Sequence, residues 1–227
     1  MTHPERTPVV MSWSGGKDSS LALAALQAGD QFNVVALLTS ITQEYDRVSI
    51  HGVRRALLEA QARVLRLPLF EVALQPMSSN EAYEAAFAEG VAAVMRAFPD
   101  VRHMAFGDLF LADVRAYREQ QIGALGLSGV FPLWGRNTAE LAEQFVRDGY
   151  VAHLVCVDTT QLDASFCGRV YDDALLVDLP SDVDPCGENG EFHTFVSAAP
   201  IFGTPVHVQT GEVVLRDGRF AYCDLLS

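Results

Sequence analysis

The first half of the chain alternates short apolar runs with longer segments of helical periodicity, and this order restricts the folds available to it. Continuous apolar runs are typical of strands buried on both faces of a parallel sheet. Repeated strand–helix units join parallel strands by right-handed crossovers, which place helices on both faces. The pattern therefore predicts a doubly wound, Rossmann-like α/β domain, with strands at residues 9–13, 32–40, 69–74 and 103–107.

Helices are expected between these strands. The first runs from the glycine pair at residues 15–16 to about Ala28, and the third is capped by Ser79 or Asn80 and stopped by Pro99. The second begins near Gly52. Its predicted buried face consists of Val53, Leu57, Ala60 and Val64.

The character of the sequence changes after about residue 126. Asn137 and Glu140 have the spacing of a helix capping box, and residues 151–157 form another apolar run. The final segment alternates polar and apolar residues around two predicted turns, Thr210-Gly211 and Asp217-Gly218. We expect an N-terminal domain of residues 1–128 and a smaller α+β domain of residues 129–227, with a cleft between them.

Charge is distributed unevenly along the chain. The formal net charge is −13, and residues 151–200 contribute −8 of it through nine acids and one arginine. Such a surface repels polyanions, which excludes broad nucleic-acid binding. The only lysine among the 16 basic residues is Lys17. A local cationic spot for a small phosphate ligand therefore stays compatible with the composition.

Cysteine usage and hydropathy indicate a cytoplasmic protein without a membrane partner. The four cysteines form no C-x-x-C pair, which fits a reducing compartment. The opening residues MTHPERTPVV lack the apolar stretch of a signal peptide, and no apolar run approaches the roughly 18 residues that span a bilayer. The oligomeric state stays open, with a homodimer as one candidate.

A glycine-containing turn between the first strand and the first helix is suited to binding phosphate. Two glycines let successive backbone N–H groups converge where the helix dipole adds positive charge. The neighbouring hydroxyls and one ammonium complete the predicted site, whereas the spacing excludes a Walker A loop. Its residues are Ser14, Gly15, Gly16, Lys17, Asp18 and Ser19. Asp18 could hold Mg²⁺ or only favour the helix N-terminus.

The sequence S-G-G-K-D-S after the first strand resembles the pyrophosphate loop of the ATP pyrophosphatases, the adenine-nucleotide alpha-hydrolase superfamily. That resemblance implies binding of ATP with Mg²⁺ and cleavage between the α- and β-phosphates. Thr39 and Gly107 are expected at the nucleotide because they lie near the carboxyl ends of neighbouring strands.

Further signatures narrow the resemblance to one family. They are G-D-L at residues 107–109, P-L-W-G-R at 132–136 and C-G-E-N-G-E-F-H-T at 186–194. Together they resemble the diphthine–ammonia ligase family and its bacterial ATP-binding relatives, from about Val9 to Phe202. The family implies an ATP-dependent C–N ligase: a substrate carboxylate attacks the α-phosphate, and ammonia then displaces AMP to leave an amide.

The resemblance also suggests which residues contact the reacting groups. Asp108 lies at a strand's carboxyl end, and Glu188, Glu191 and His193 are expected on a glycine-rich loop facing the cleft, where one of them moves the proton of an incoming ammonium. Which one does so is not decided by the sequence. The predicted substrate-binding residues are Arg115, Trp134, Arg136, Asn189 and Thr194. Both arginines could instead form ion pairs, and Trp134 could belong to the core.

The acceptor and two rival functions stay open. In eukaryotic and archaeal members of the family the substrate is diphthine, a modified histidine of elongation factor 2, but residues 44–55 differ from the loop of those members and resemble shorter bacterial relatives. A sulfur-transferring or RNA-modifying enzyme with the same loop is disfavoured by the missing C-x-x-C and basic surface. A nucleotide sensor without turnover would not need the polar segment 186–194.

Overall fold

The computed structural model describes residues 6–227. The first five residues belong to the opening segment that is expected not to be a signal peptide, and they lie outside the described part. Within the described part the chain forms ten strands and six α-helices. In chain order these are β1 (Thr7–Ser12), α1 (Lys17–Ala28), β2 (Phe32–Thr42), β3 (Arg47–Val48), α2 (Arg55–Leu65), β4 (Leu69–Leu74), α3 (Asn80–Ala97), β5 (His103–Ala105), α4 (Ala112–Gly123), β6 (Ser128–Val130), α5 (Thr138–Arg147), β7 (Val151–Asp158), α6 (Asp173–Asp178), β8 (Phe192–Ala198), β9 (Gln209–Arg216) and β10 (Phe220–Leu226).

The first sheet is largely parallel, which confirms the predicted fold class. Its parallel strands lie in the order β4-β2-β1-β5-β6, and the short β3 pairs antiparallel with the end of β2. Helices cover both faces: buried residues of α1 and α2 belong to one apolar cluster, and those of α3 and α4 to another. The chain proceeds from β1 through β2 to β4 and then returns to β5 on the other side of β1. The carboxyl ends of β1 and β5 therefore border a crevice of the kind where such sheets bind ligands.

The second sheet is antiparallel, with the order β8-β7-β10-β9. Its buried residues, including Leu154, Phe195 and Ala221, share one apolar cluster with Leu23 of α1 and Leu57 of α2. The two sheets thus pack around a common core rather than being joined by a linker. Since β6 pairs with β5, the first sheet extends to Val130, and the division into domains at residues 128/129 stays a prediction.

Helix starts follow the sequence closely. The Ser79 hydroxyl accepts a hydrogen bond from the Ala82 N–H, and the Asn137 side chain accepts one from the Glu140 N–H, so both expected caps are present. Such caps satisfy N–H groups that the first helical turn leaves free. The buried face of α2 differs from the expected one: it consists of Leu57, Leu58, Gln61, Ala62 and Leu65.

Two local expectations at the end of the chain are wrong. Residues 192–194 do not lie on a loop, because Phe192, His193 and Thr194 open strand β8. Thr210-Gly211 is not a turn but part of β9, where the pairing with β10 shifts register between Cys223 and Leu225. Asp217-Gly218 does form the hairpin turn, since both residues have positive φ, 52° and 62°.

One buried amide joins three elements of the fold. Gln61 is completely buried and its Oε1 accepts a hydrogen bond from Trp13 Nε1 at 2.9 Å. Its Nε2 donates to the Gly15 carbonyl at 3.0 Å and to the Val196 carbonyl at 2.7 Å. The side chain therefore holds the end of β1, helix α2 and strand β8 together.

No helix among residues 6–227 is long and apolar enough to cross a membrane. All four cysteines are buried and unpaired.

Replacing Gln61 by leucine should lower the free energy of unfolding by about 2–4 kcal/mol, because the change leaves the Trp13 N–H and two carbonyls without this partner in the core. Urea denaturation measures the difference. The control is Gln120→Leu on the exposed face of α4, which removes a helical glutamine without burying anything. Equal stability of the two variants would contradict the assigned role of Gln61.

Candidate functional site

The turn between β1 and α1 has the geometry expected of a phosphate-binding turn. Gly15 has a φ of 77°, in the left-handed region that favours glycine. A Cβ at Gly16 would lie 2.9 Å from the Thr194 carbonyl oxygen, so β8 approaches too closely for any side chain there. The Ser14 and Ser19 hydroxyls are 3.2 Å apart, and Ser14 Oγ accepts from the Gly16 N–H. Contacts within the chain thus support the conformation of the turn.

Lys17 is more deeply buried than the sequence suggested. Its side chain is fully enclosed, its ammonium pairs with the Asp18 carboxylate, and Nζ lies 5.9 Å from the centre of the Tyr171 ring. Burial by itself lowers the pKa of Lys17, but the charge of Asp18, the neighbouring Cys186 and Tyr171, and the hydrogen bond to Asp18 together outweigh this effect and leave the pKa above its ordinary value. The lysine therefore stays cationic beside the turn, where a positive charge stabilises an anion bound there.

Thr194 connects the first and last motifs directly. Its side-chain oxygen accepts a hydrogen bond from the Lys17 N–H at 2.9 Å, and the Val196 N–H donates to the Gly15 carbonyl at 2.9 Å. The predicted substrate-binding residue Thr194 is thus a support for the turn. Its position follows from β8, which runs alongside the turn and carries the end of the last motif.

Glu188 contacts the carboxyl end of β5. Its Oε1 accepts a hydrogen bond from the Leu109 N–H at 2.7 Å and lies 3.4 Å from the Phe110 nitrogen. Burial raises the pKa of Glu188 to about 7; the Leu109 N–H opposes the shift, and the charges of Asp18 and Asp108 add to it. At neutral pH this carboxyl group is therefore close to half ionised, and it can accept or release a proton.

Glu191 has a different environment from Glu188. It is buried, and its carboxylate accepts hydrogen bonds from the Asp184 N–H and from both the backbone and the side-chain nitrogen of Asn189. Asp184 in turn accepts from the Cys186 N–H at 2.8 Å. These contacts close the segment on itself, so Glu191 and Asn189 hold Glu188 in position.

Asp108 lies at the expected carboxyl end of β5 and faces a cation. Its Oδ2 is 2.8 Å from Arg118 Nε on α4. Burial raises the pKa of Asp108 and Arg118 opposes that shift, while Asp18 adds to it. A Cβ at the preceding Gly107 would lie 2.8 Å from the Asp18 backbone carbon, which shows how closely β5 approaches α1. Asp18, Asp108 and Glu188 therefore share one region.

His193 packs against His51 near this region, with the two rings tilted by 40°. The two ring centres are 4.4 Å apart, and His51 Nδ1 lies 3.4 Å from the Ser49 carbonyl oxygen. Burial lowers the pKa of His193 to about 4, and burial together with the neighbouring His193 lowers that of His51 to about 3. Both rings are thus neutral at physiological pH and are weak bases.

The remaining predicted substrate-binding residues lie on α4 and the segment that follows β6. The Arg115 guanidinium stacks on Phe131 and Trp134, with centroid distances of 4.6 and 4.7 Å, and bonds to Glu119 at 2.9 Å. Arg136 is exposed and donates to Gln144 on α5 at 3.1 Å. Neither arginine contacts the turn or the carboxylates described above.

Thr39 and Cys186 are two further buried groups of the motifs and strands described above. Thr39 lies within β2, three residues before the strand ends, and its buried hydroxyl has no hydrogen-bond partner within the described chain. Cys186 is also buried, and burial raises its thiol pKa to about 12 while Sγ donates to the Thr138 carbonyl at 3.3 Å. Cys186 is therefore an inert packing residue.

Sequence reasoning missed three contributors to this region: Gln61, Tyr171 and Arg118. Tyr171 is almost fully buried, and its hydroxyl donates to the Pro185 carbonyl, which places its ring beside the Lys17 ammonium. A glutamine among apolar residues at helical spacing was a usable signal for Gln61. Tyr171 had no such signal, because its partners come from distant parts of the chain.

The described residues contain no cluster of three or more His, Cys, Asp or Glu side chains arranged to hold a metal ion. This arrangement still suits Mg²⁺ that arrives with a nucleotide, since that ion is commonly held by one or two carboxylates together with the phosphates. The carboxylates near the turn are those of Asp18, which pairs with Lys17, and Asp108, which pairs with Arg118.

Comparison with known proteins identifies the family. The diphthamide synthase N-terminal domain model matches residues 7–128, and the C-terminal domain model matches residues 137–224. The chain is 26% identical over 219 residues to the diphthine–ammonia ligase of Schizosaccharomyces pombe, and the match covers 88% of this chain and 36% of that protein. It is 25% identical over 223 residues to the enzyme of Homo sapiens, covering 89% and 83%. The match to the enzyme of Bos taurus is 25% over 221 residues, covering 88% and 82%.

The chain thus spans about a third of the yeast relative and most of the mammalian ones. The two family models together cover most of both sheets, and both Lys17 and Glu188 lie within the matched residues. The family inferred from the motifs is confirmed: this chain belongs to the diphthamide synthase family.

Proposed function

We propose that this chain is an ATP-dependent ligase that adenylates a substrate carboxylate and then joins it to ammonia. A carboxylate oxygen attacks the α-phosphorus of ATP, the bond from that phosphorus to the bridging oxygen of the β-phosphate breaks, and pyrophosphate leaves. Ammonia nitrogen then attacks the acyl carbon, and AMP leaves with the electron pair of the broken acyl–oxygen bond. A cytoplasmic location remains a prediction.

The observation that carries the proposal is the meeting of three sequence motifs around one turn. The Lys17 ammonium pairs with Asp18 beside the turn, and the Thr194 side chain accepts a hydrogen bond from the Lys17 N–H. Glu188 accepts a hydrogen bond from the Leu109 N–H, in the segment after β5 that contains Asp108. The Lys17 N–H donates to Thr194, and the next two N–H groups of α1, those of Asp18 and Ser19, have no intrahelical partners and are donors for an anion at the turn. A nucleotide that only had to be held would not require carboxyl groups with perturbed pKa values beside its phosphates.

The electrostatics favour Glu188 as the group that takes the proton from ammonium. A general base works best when its pKa lies near the working pH, and the value of about 7 for Glu188 meets this condition. The value of about 4 for His193 makes it a much weaker base. Glu191 already accepts three hydrogen bonds within its own segment. We therefore assign Glu188 to proton transfer and Glu191 to positioning.

Magnesium bound with ATP would neutralise part of the phosphate charge during the attack. Asp18 and Asp108 would hold it. The acceptor stays defined only as a carboxylate on a small molecule or on a protein.

The reaction is tested by its products. The protein is incubated with ATP, Mg²⁺, ammonium and fractions of a metabolite extract or of protein acceptors, and the nucleotides are separated by chromatography. We expect AMP and pyrophosphate in equal amounts, dependent on both the acceptor fraction and ammonium. ADP with orthophosphate would contradict adenylation, and tight ATP binding without consumption in any fraction would favour a nucleotide sensor.

Lys17→Ala should weaken ATP binding by about 1–3 kcal/mol, since it removes the cation below the phosphates. Isothermal titration calorimetry gives the affinity. Arg63→Ala serves as the matched control because it removes an exposed cation from α2. An unchanged affinity in the Lys17 variant, with folding verified by circular dichroism, would remove the assignment of the turn.

Glu188→Gln should abolish the rise in turnover that we expect as the pH increases through about 7 and this carboxyl group ionises. Ionisation of Glu188, which should raise turnover, should lower the stability of the folded protein. Because the pKa in the folded state lies above the ordinary carboxyl value, the stabilising contribution is present below that ordinary value and is lost as the pH rises through about 7.

The measurements are a pH–rate profile and melting temperatures between about pH 5 and about pH 8. The wild-type protein should lose more stability over this range than the Gln variant, and the exposed control Glu143→Gln should behave like the wild type. A rate profile shared by all three proteins would exclude Glu188 from proton transfer.

A further inference from the structure

Strand β9 is an open edge of the second sheet. Within the described chain it pairs with β10 on one side only, and six of its eight residues are exposed. The exposed residues include Val213 and Leu215, whose exposed fractions are 46% and 60%. Unpaired strand edges with apolar side chains are templates for pairing with another strand. Proteins usually protect such edges with charges, prolines or covering segments.

The opposite edge of this sheet is covered. Strand β8 donates the Val196 N–H to the Gly15 carbonyl and receives the Gln61 amide at the Val196 carbonyl. The turn and α2 thus occupy that edge. In the second sheet, β9 is the edge that remains available to another molecule.

The sequence of β9 is complementary to itself in one register. Two copies can pair antiparallel about a two-fold axis that is perpendicular to the sheet. In this arrangement even-numbered residues lie opposite even-numbered residues, and odd-numbered residues lie opposite odd-numbered ones. With Val214 opposite Val214 of the partner subunit, Val213 faces Leu215 and Glu212 faces Arg216. Apolar residues then meet apolar residues, and each acid meets a base.

The neighbouring registers do not share this property. Moving the centre to Val213 places Glu212 opposite Val214 and Gly211 opposite Leu215. Moving it to Leu215 places Val214 opposite Arg216 and Val213 opposite Asp217. A shift by one residue would turn the side chains of one strand to the wrong face. The sequence therefore selects one symmetric pairing.

Glu212 and Arg216 form no ion pair within the described chain. The neighbouring ion pairs of the described chain join Arg47 and Arg54 to Asp224 and Arg219 to Asp158, and none involves Glu212 or Arg216. These two side chains are exposed and free to pair across an interface.

We propose that β9 is the contact surface of a homodimer, in which the strands of two copies pair antiparallel with Val214 at the two-fold axis. The second sheets of the two copies then form one continuous sheet. Val214 and Arg216 also line a cleft of about 600 Å³ between β9–β10 and residues 42–52, so the partner strand borders that cleft. The contact of two eight-residue strands is small beside a standard interface of about 800 Å² per partner. The dimer therefore dissociates on dilution.

Sedimentation velocity of the full chain over a wide concentration range tests the state of association. We expect the wild type to convert from monomer to dimer as its concentration rises. Glu212→Arg places two arginines opposite each other at both ends of the pairing and should abolish the dimer. Arg216→Glu should do the same through paired acids. The double variant with both changes restores opposite charges and should recover dimerisation.

A disulfide verifies the register. All four native cysteines are buried, so Val214→Cys introduces a thiol that is more accessible than any of them, at a half-buried position on the proposed axis. Under a mild oxidant such as a copper–phenanthroline complex, in which two thiols lose two electrons and two protons, we expect a covalent dimer. Glu212→Cys, whose partner would be Arg216, is the matched control and should crosslink poorly.

Three outcomes would overturn the proposal. The first is a monomeric wild type at all concentrations. The second is a dimer that survives Glu212→Arg, because it would form through another surface. The third is failure of the double variant to dimerise although its circular dichroism spectrum is native. None of these results depends on ATP turnover, so they leave the proposed ligase activity untouched.

Discussion

The structure depends on the close contact between the turn after β1 and strand β8. Four hydrogen bonds form it: Lys17 N–H to Thr194, Val196 N–H to the Gly15 carbonyl, and the Gln61 amide to the carbonyls of Gly15 and Val196. The two glycines of the turn are required because any Cβ at either would clash with α2 or β8. A fold in which the first sheet alone formed the phosphate site would not need these contacts. Here the first half of the chain supplies the turn, and the second half supplies the strand that supports it.

This contact also determines the electrostatics of the site. It buries the single lysine of the chain beneath Asp18 and brings Glu188 to the end of β5, near Asp108. Three carboxyl groups thus share a region that holds one buried ammonium, and Arg118 compensates one of them. The pKa of Glu188 rises mainly because the carboxyl group is buried away from water, and the charges of Asp18 and Asp108 add to the rise. Cations that enter with a substrate, such as Mg²⁺ or ammonium, would reduce this imbalance.

The sequence predicted those features that depend on residues close together in the chain. Buried strands, helix caps and the Gly15-Gly16 turn depend on neighbours in the chain, and they were predicted within a few residues. The partners of Gln61, Tyr171 and Asp108 lie many residues away, so no periodicity could reveal them. The final motif shows the same limit: its polar composition suggested a loop throughout, yet pairing with β7 makes a strand of residues 192–198. Tertiary pairing decided the structure there, not local preference.

The antiparallel sheet has two edges, and the fold uses them differently. Strand β8 is committed to the turn, so its N–H and carbonyl groups are satisfied inside the molecule. Strand β9 lies on the far side of β7 and β10, and nothing in the described chain covers it. Since two strands separate these edges, a partner at β9 need not disturb the hydrogen bonds around Lys17. A partner strand at β9 can therefore cover Val213 and Leu215 while the hydrogen bonds between the turn and β8 stay as they are.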